Sequence, residues 1–274
     1  MALATGSAAR AGDLATSPTA TGKIVRIEVT TENVFDLTRN DNVIFQLADA
    51  LHIVTHPIVV RRLLLFDEGQ PLDSEALAET ERNLRAFDPL RAASITATAR
   101  PDGGYDVSVR TQDRWTLRFG AGLALAGGVT KASLDVGDSN FLGFGKDLGL
   151  SLRVEPRNVQ YGAAYFDPDI GGSRVQMNLS VVQSDLLKSL AGSLGRPFFA
   201  RETPYAWAAS LLDEGAQIQY FQDGHVSAEI HRYRQSAVLS GGLGTGPRED
   251  VRRLSLGLAL ERALYEAPTG ADPD

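Results

Sequence analysis

Few residues in this chain have the type and spacing for chemistry. His52 and His56 stand four apart, which on a helix would place two imidazoles on one face for a metal. Pro57 interrupts that helix and no third ligand lies near, so surface or half-buried histidines are the expected reading. His225 and His231 stand without partners. Gly143, Gly145 and Lys146 suggest a phosphate loop, but the spacing departs from the Walker pattern and no helix follows. Asp167 and Asp169 in DPDIGG could pair as acids or ligate calcium, yet aspartates there more simply cap a turn. No Ser/His/Asp order stands out. The sequence therefore predicts no catalytic residue, no metal and no cofactor.

Composition narrows the classes. The chain has 274 residues, room for two domains, and 43% of them are hydrophobic. It contains no cysteine, which removes disulfides and thiolate metal sites. The 34 acidic residues outnumber the 27 basic ones, for a net charge of −7, and this argues against nucleic acid as partner. No apolar run is long enough for a transmembrane helix, though barrel strands, short and alternating, need none.

The elements that must position any site fall into two kinds. Residues 1–22 are rich in Ala, Thr, Ser and Gly and are expected to be disordered. Residues 23–30 alternate as a strand, and a helix is read within 42–54. A second helix opens near Thr55, the expected N-cap, with Val59, Leu63 and Phe66 at helical spacing. Asp73 or Ser74 caps a third, on which Leu77, Leu84 and Phe87 share a side and Glu79 falls on the exposed face. Residues 93–100 and 105–110 form a hairpin around an Asp-Gly turn.

Beyond Trp115 the pattern changes. Alternating segments recur at 117–126, 146–155, 159–166, 174–184, 205–213, 226–233 and 253–264. In one, Val175, Met177, Leu179 and Val181 alternate with Arg174, Gln176, Asn178 and Ser180, one apolar face against one polar. Turns at Gly127–Gly128, at 155–158, at 167–172 and at 222–224 separate the segments. Such a sheet is either half of a soluble sandwich or the wall of a membrane barrel. Trp115, Phe119, Phe141, Phe144, Tyr161, Tyr165, Phe166, Phe198 and Phe199 cluster near strand ends, as barrel aromatics do at lipid headgroups, or else fill a sandwich core.

Three ordered motifs carry a resemblance. NFLGFGK, YFDPDIGG and RPFF follow one another at hairpin spacing, after KIVRIEV and the PDGGYDVSVRTQDRWTL hairpin. In these the chain resembles the Omp85 superfamily of outer-membrane proteins, the group of BamA and TamA. The resemblance implies an α+β POTRA domain (β-α-α-β-β) over 23–116, followed over 117–274 by an antiparallel all-β transmembrane barrel. The inserted residues 31–53 depart from the family pattern. The eight to ten strands countable here fall short of the family's sixteen or so, so the barrel is expected to be incomplete.

The implied function is assembly, insertion or translocation of outer-membrane proteins, without catalysis. The implied partners are unfolded outer-membrane clients, outer-membrane lipid and accessory periplasmic or lipoprotein subunits. Strand addition would be the binding mode. The expected client segments are 94–99, through Ser94, Thr96 and Thr98 on a sheet edge, and 119–125, through Phe119, Gly120, Gly122 and Leu123 on the first barrel strand. Rival readings are a soluble two-domain binding protein or enzyme with a β-sandwich, a passive porin, and the POTRA–barrel tail of a patatin-like phospholipase.

Overall fold

The computed structural model describes residues 8–10, 22–34, 52–126, 129–222 and 225–266. The expected turn at Gly127–Gly128, most of the one at 222–224 and most of the helix expected within 42–54 lie outside them; His52, Ile53 and Val54 are not helical. The chain divides into two units, one of 1–116 with 139–145, the other of 117–138 with 146–274.

The first unit is a four-stranded sheet under two helices. Its strands are β1 (Ala8–Arg10), β2 (Ile24–Glu32), β3 (Leu90–Ala99) and β4 (Tyr105–Asp113), in the order β1-β3-β4-β2. β2 runs parallel to β4, and the other pairs are antiparallel. Register shifts between Ile24 and Arg26 and between Leu90 and Ala92 bring Ile24 with Ile27, and Leu90 with Ala93, onto the core side. A bulge adds one residue and so moves a third-neighbour side chain to the same face. Strict alternation from Ile24, the sequence expectation, fails for that reason, and Val25 stays 45% exposed.

Helix α1 (Pro57–Leu63) starts after His56 rather than Thr55, and no side chain caps it. Helix α2 (Ser74–Ala86) is capped by Asp73, whose carboxylate accepts from the Glu75 and Ala76 N–H groups. Leu77, Leu84, Ile95, Val60, Val107 and Val109 form the centre of the core. Leu63 is only half-buried, and the adjacent Leu64 takes the inner position. Glu79 is buried rather than exposed.

The second unit is one antiparallel sheet of nine strands. They are β5 (Leu117–Ala126), β6 (Val129–Asp138), β7 (Asp147–Glu155), β8 (Asn158–Asp167), β9 (Gln176–Gln183), β10 (Leu187–Arg196), β11 (Tyr205–Gln222), β12 (His225–Thr245) and β13 (Arg252–Glu266). Each pairs with its neighbour in sequence, so β5 and β13 are the two edges and the sheet is not closed. Sequence reading missed β6 and β10. TKASLDVGD and KSLAGSLG alternate too weakly, because small and polar residues occupy both faces.

The register sorts side chains onto two faces. Phe119 lies opposite Val136, Val136 opposite Leu150, Leu150 opposite Ala163, Ala163 opposite Val181, and Val181 opposite Leu190. At the far edge Leu243, Leu239 and Ala237 face Leu254, Leu258 and Leu260. This face is solvent-facing throughout: Leu150 is 55% exposed, Leu190 60% and Leu256 75%. The opposite face is small and charged. Arg118 bridges to Asp147 at 2.8 Å, Lys131 to Glu155 at 3.0 Å and Arg234 to Glu261 at 3.1 Å. A Cβ on Gly137 would come within 3.0 Å of the Arg118 guanidinium, so glycine there leaves the arginine its path.

Candidate strand-addition edges

An extended partner can join a sheet only where main-chain N–H and C=O groups point outward. In an antiparallel pair, alternate residues turn both groups toward the partner strand and the others turn both away. The phase at β3 follows from the hairpin, where the Arg100 N–H donates to Gly104 O at 2.8 Å. Counting back by twos, Thr98, Thr96 and Ser94 bond to β4, and Ala99, Ala97, Ile95 and Ala93 present their groups to the outer edge. The side chains of Ser94, Thr96 and Thr98 are half-buried, while Ala93, Ile95 and Ala97 point into the core.

That edge is not bare. The Ile95 N–H donates to Glu81 Oε2 at 3.1 Å, and Arg85 Nε donates to Ala93 O at 3.2 Å. Glu81 and Arg85 also pair with each other, one turn apart on α2. Next to this capped stretch Ala8, Ala9 and Arg10 pair with Thr98, Ala97 and Thr96. Residues 8–10 are thus a strand, where the sequence composition suggested disorder, and the expected edge strand 93–100 has a neighbour on its outer side. No sequence signal marked either feature, because pairing of so short a strand leaves no periodicity.

The β5 edge carries no partner on its outer side among the described residues. The Ser139 N–H donates to Thr116 O, and the register continues from that pair, so Arg118, Gly120, Gly122 and Ala124 bond to β6. Leu117, Phe119, Ala121, Leu123 and Leu125 therefore direct their main-chain groups outward. Their side chains stand on the apolar face, with Phe119 69% and Leu123 71% exposed. Gly120 and Gly122 lie on the polar face. A Cβ at Gly122 would fall 2.6 Å from Ser133 Oγ, whereas at Gly120 the nearest atom is 3.5 Å away.

The histidines and glycines flagged for chemistry serve packing. His52 is buried, with Nε2 3.2 Å from Asp113 Oδ2. The same oxygen accepts from the Thr55 N–H at 2.7 Å and the Thr55 hydroxyl at 3.0 Å. Asn140 Nδ2 donates to Ile53 O and to Thr55 Oγ1, and Asn140 Oδ1 accepts the Gly145 N–H. The hydroxyl thus donates to a carboxylate and has no imidazole as base, so the arrangement fastens a chain segment and sets up no nucleophile. His56 lies against Phe144, ring centres 4.7 Å apart. Gly143 and Gly145 have φ of 75° and 65°, and a Cβ on Gly143 would come within 2.8 Å of Val54 O. NFLGFG is therefore a packing motif, and Phe141 and Phe144 belong to the first unit.

Asp167 accepts the Asp169 N–H at 3.0 Å and meets Lys146 Nζ at 3.0 Å, and Asp169 accepts the Arg174 N–H at 2.7 Å. The two backbone bonds are turn bonds, as the spacing suggested, and the Lys146 contact runs across strands. Phe198 and Phe199 lie under arginines instead of forming a belt: Arg253 stands 4.5 Å over Phe198, and Arg174 stands 4.8 Å over Phe199. Of the aromatics flagged in the sequence, Phe119 and Tyr161 project from the apolar face, 69% and 60% exposed.

An antiparallel sheet with one apolar face, one small polar face and strands joined in sequence order is consistent with a portion of an up-and-down barrel, not closed among the described residues. Among solved structures the chain is similar to CdiB from Acinetobacter baumannii, with a TM-score of 0.50 and 14% identity over 96% of this chain. It also matches the crystal structure of BamA from Haemophilus ducreyi lacking POTRA domains 1–3, with a TM-score of 0.47 and 13% identity over 88% of this chain. The chain spans 50% and 56% of the lengths of those two proteins. The likeness to CdiB is one of fold. No sequence family matches the chain, and no curated protein does. No helix among the described residues is long and apolar enough to cross a membrane, which leaves crossing by strands untouched.

Proposed function

We propose that the chain belongs to an outer-membrane protein that assembles, inserts or translocates other proteins by strand addition. The first unit acts as a POTRA-like periplasmic module, and the second supplies strands of the barrel. The observation that carries this reading is the apolar outer face of the second unit ending at the unpaired β5 edge. Leu254, Leu256, Leu258 and Leu260 alone are 61–75% exposed, which lipid accommodates and water does not. A soluble sandwich would need a second layer over these residues, and among the described residues none covers them. Clients bond to the outward main-chain groups of Phe119, Ala121 and Leu123, and side chains contribute little, so many sequences suit. Unfolded outer-membrane proteins are the clients, and accessory periplasmic or lipoprotein subunits join them as partners.

Site-specific crosslinking tests the proposal, helped by the absence of native cysteine. Single cysteines at Gly120, Leu123, Thr96 and Thr98 are placed in the full-length protein and offered a client bearing one cysteine. Gly122 is unsuitable because a side chain there displaces Ser133. Arg82, exposed on α2, is the control. Crosslinks at Gly120 and Leu123 well above the control are expected. Yields equal to the control at all four sites would remove strand addition and leave a passive barrel.

A further inference from the structure

The β3 edge has two halves in different states. Over Ala93 and Ile95 one outward group of each ends on a side chain of the same unit, the Ala93 C=O on Arg85 and the Ile95 N–H on Glu81. Capping of this kind blunts an edge against added strands. Over Thr96–Thr98 the occupant is β1, three residues long, with Ala9 opposite Ala97. Ala97 is one of the residues whose main-chain groups face outward, so in this register Ala9 meets outward groups that α2 leaves uncapped.

We propose that β1 is a removable occupant: the chain's own N-terminal strand fills the uncapped half of the β3 edge and yields it to a longer extended client. This rests on the reading of β3 as a client edge. Two features make β1 a weak occupant. A three-residue strand on one side of a sheet makes few main-chain bonds, and two of its three residues are alanine. Cross-strand partners of Ser94, Thr96 and Thr98 gain from β-branched or aromatic residues, which β1 lacks. Tethering offsets this weakness. Eleven residues separate Arg10 from Gly22, so β1 is tethered near its edge, and a short tether raises the effective concentration to the order of millimolar. A client must bind the edge better than β1 does by that margin, which excludes casual extended segments and admits long alternating ones. The Glu81–Arg85 pair fixes the register, because a strand can enter only beside Ala97 and Ala99.

A disulfide can lock the occupant. Ala8 and Thr98 form a pair without mutual hydrogen bonds, the kind whose Cα atoms lie about 4.5 Å apart, within disulfide reach. The full-length protein carrying Ala8→Cys and Thr98→Cys is compared oxidised and reduced, beside a form lacking residues 1–12. The probe is a synthetic peptide of the β13 sequence, RRLSLGLALERALYE, with a photoreactive phenylalanine in place of Leu258. Crosslinks falling within 93–99 are quantified by mass spectrometry. The expected result is a drop of about tenfold or more on oxidation, and a several-fold rise on truncation. If the disulfide forms and crosslinking within 93–99 is unchanged, β1 is no occupant, while the client reading stands. Failure of the two cysteines to join under oxidant overturns the β1 pairing itself. Absence of these crosslinks in every form, truncated included, overturns β3 as a client edge, independently of what β1 does.

Discussion

The two units treat the same side chains in opposite ways. Leu84 in α2 and Leu90 in β3 are fully buried, whereas Leu256 and Leu258 in β13 are 75% and 61% exposed. The first unit folds two helices onto one face of its sheet, so its apolar residues meet each other. Among the described residues the second has no α-helix to cover its apolar face, and arginine, lysine and carboxylates bridge across the other side. Apolar alternation is therefore a statement about one face of a strand, and what covers that face is decided elsewhere. The edges differ as well: β3 is capped by α2 and occupied by β1, and β5 has no outer partner among the described residues.

Substitution can break this contrast. Leu84→Ala opens a cavity in a packed core and is expected to cost about 2–5 kcal/mol. The loss should appear in urea titration of the full chain, read at Trp115 after Trp207→Phe, and leave the second unit inserted. A reading of the first unit as a compact core fails if the midpoint does not move. At the second unit, Leu179→Arg places a charge on the outer face, at an expected cost of about 2–4 kcal/mol near a bilayer midplane. Folding into liposomes should fall for Leu179→Arg and hold for Asn178→Arg, on the opposite face. Equal effects at the two positions would reject lipid as the cover.

Smaller effects sharpen the comparison within the first unit. Asp73→Ala removes the two bonds that cap α2, and α2 carries Glu81 and Arg85 to the β3 edge. A loss of about 1 kcal/mol is expected by the same titration, and Asp73→Ser should restore most of it. Glu68 accepts the Ile27 N–H at 2.9 Å and pairs with Arg61 at 3.1 Å. The Ile27 bond first, then Arg61, holds its carboxyl below the ordinary value. A carboxyl depressed on folding stabilises above its unfolded value and ceases to do so as pH falls through the folded one. The stability difference between the native chain and Glu68→Gln should thus shrink as pH falls below the ordinary carboxyl value and through the lower folded one. A difference constant across that range would show that the carboxylate does not hold β2.

Much of this architecture was legible in the residues themselves. The Asp73 cap, the Asp-Gly hairpin and seven of the nine strands of the second unit follow from local signals, because a cap, a turn and an alternating face are properties of a few neighbouring residues. The bulges at Val25 and Arg91, the burial of Glu79 and the junction of His52, Thr55, Asp113 and Asn140 were not legible. Each depends on a partner far along the chain, such as Asn140 reaching back to Ile53. The residues by themselves determined which strands have an apolar face and that Leu117–Ala126 is one of them. Only the tertiary structure decided which strands lie at an edge, which main-chain groups there are already satisfied, and by whom. The physical reason is that backbone hydrogen-bonding groups are the same in every residue, so their partners are written in the register between strands and not in side-chain identity.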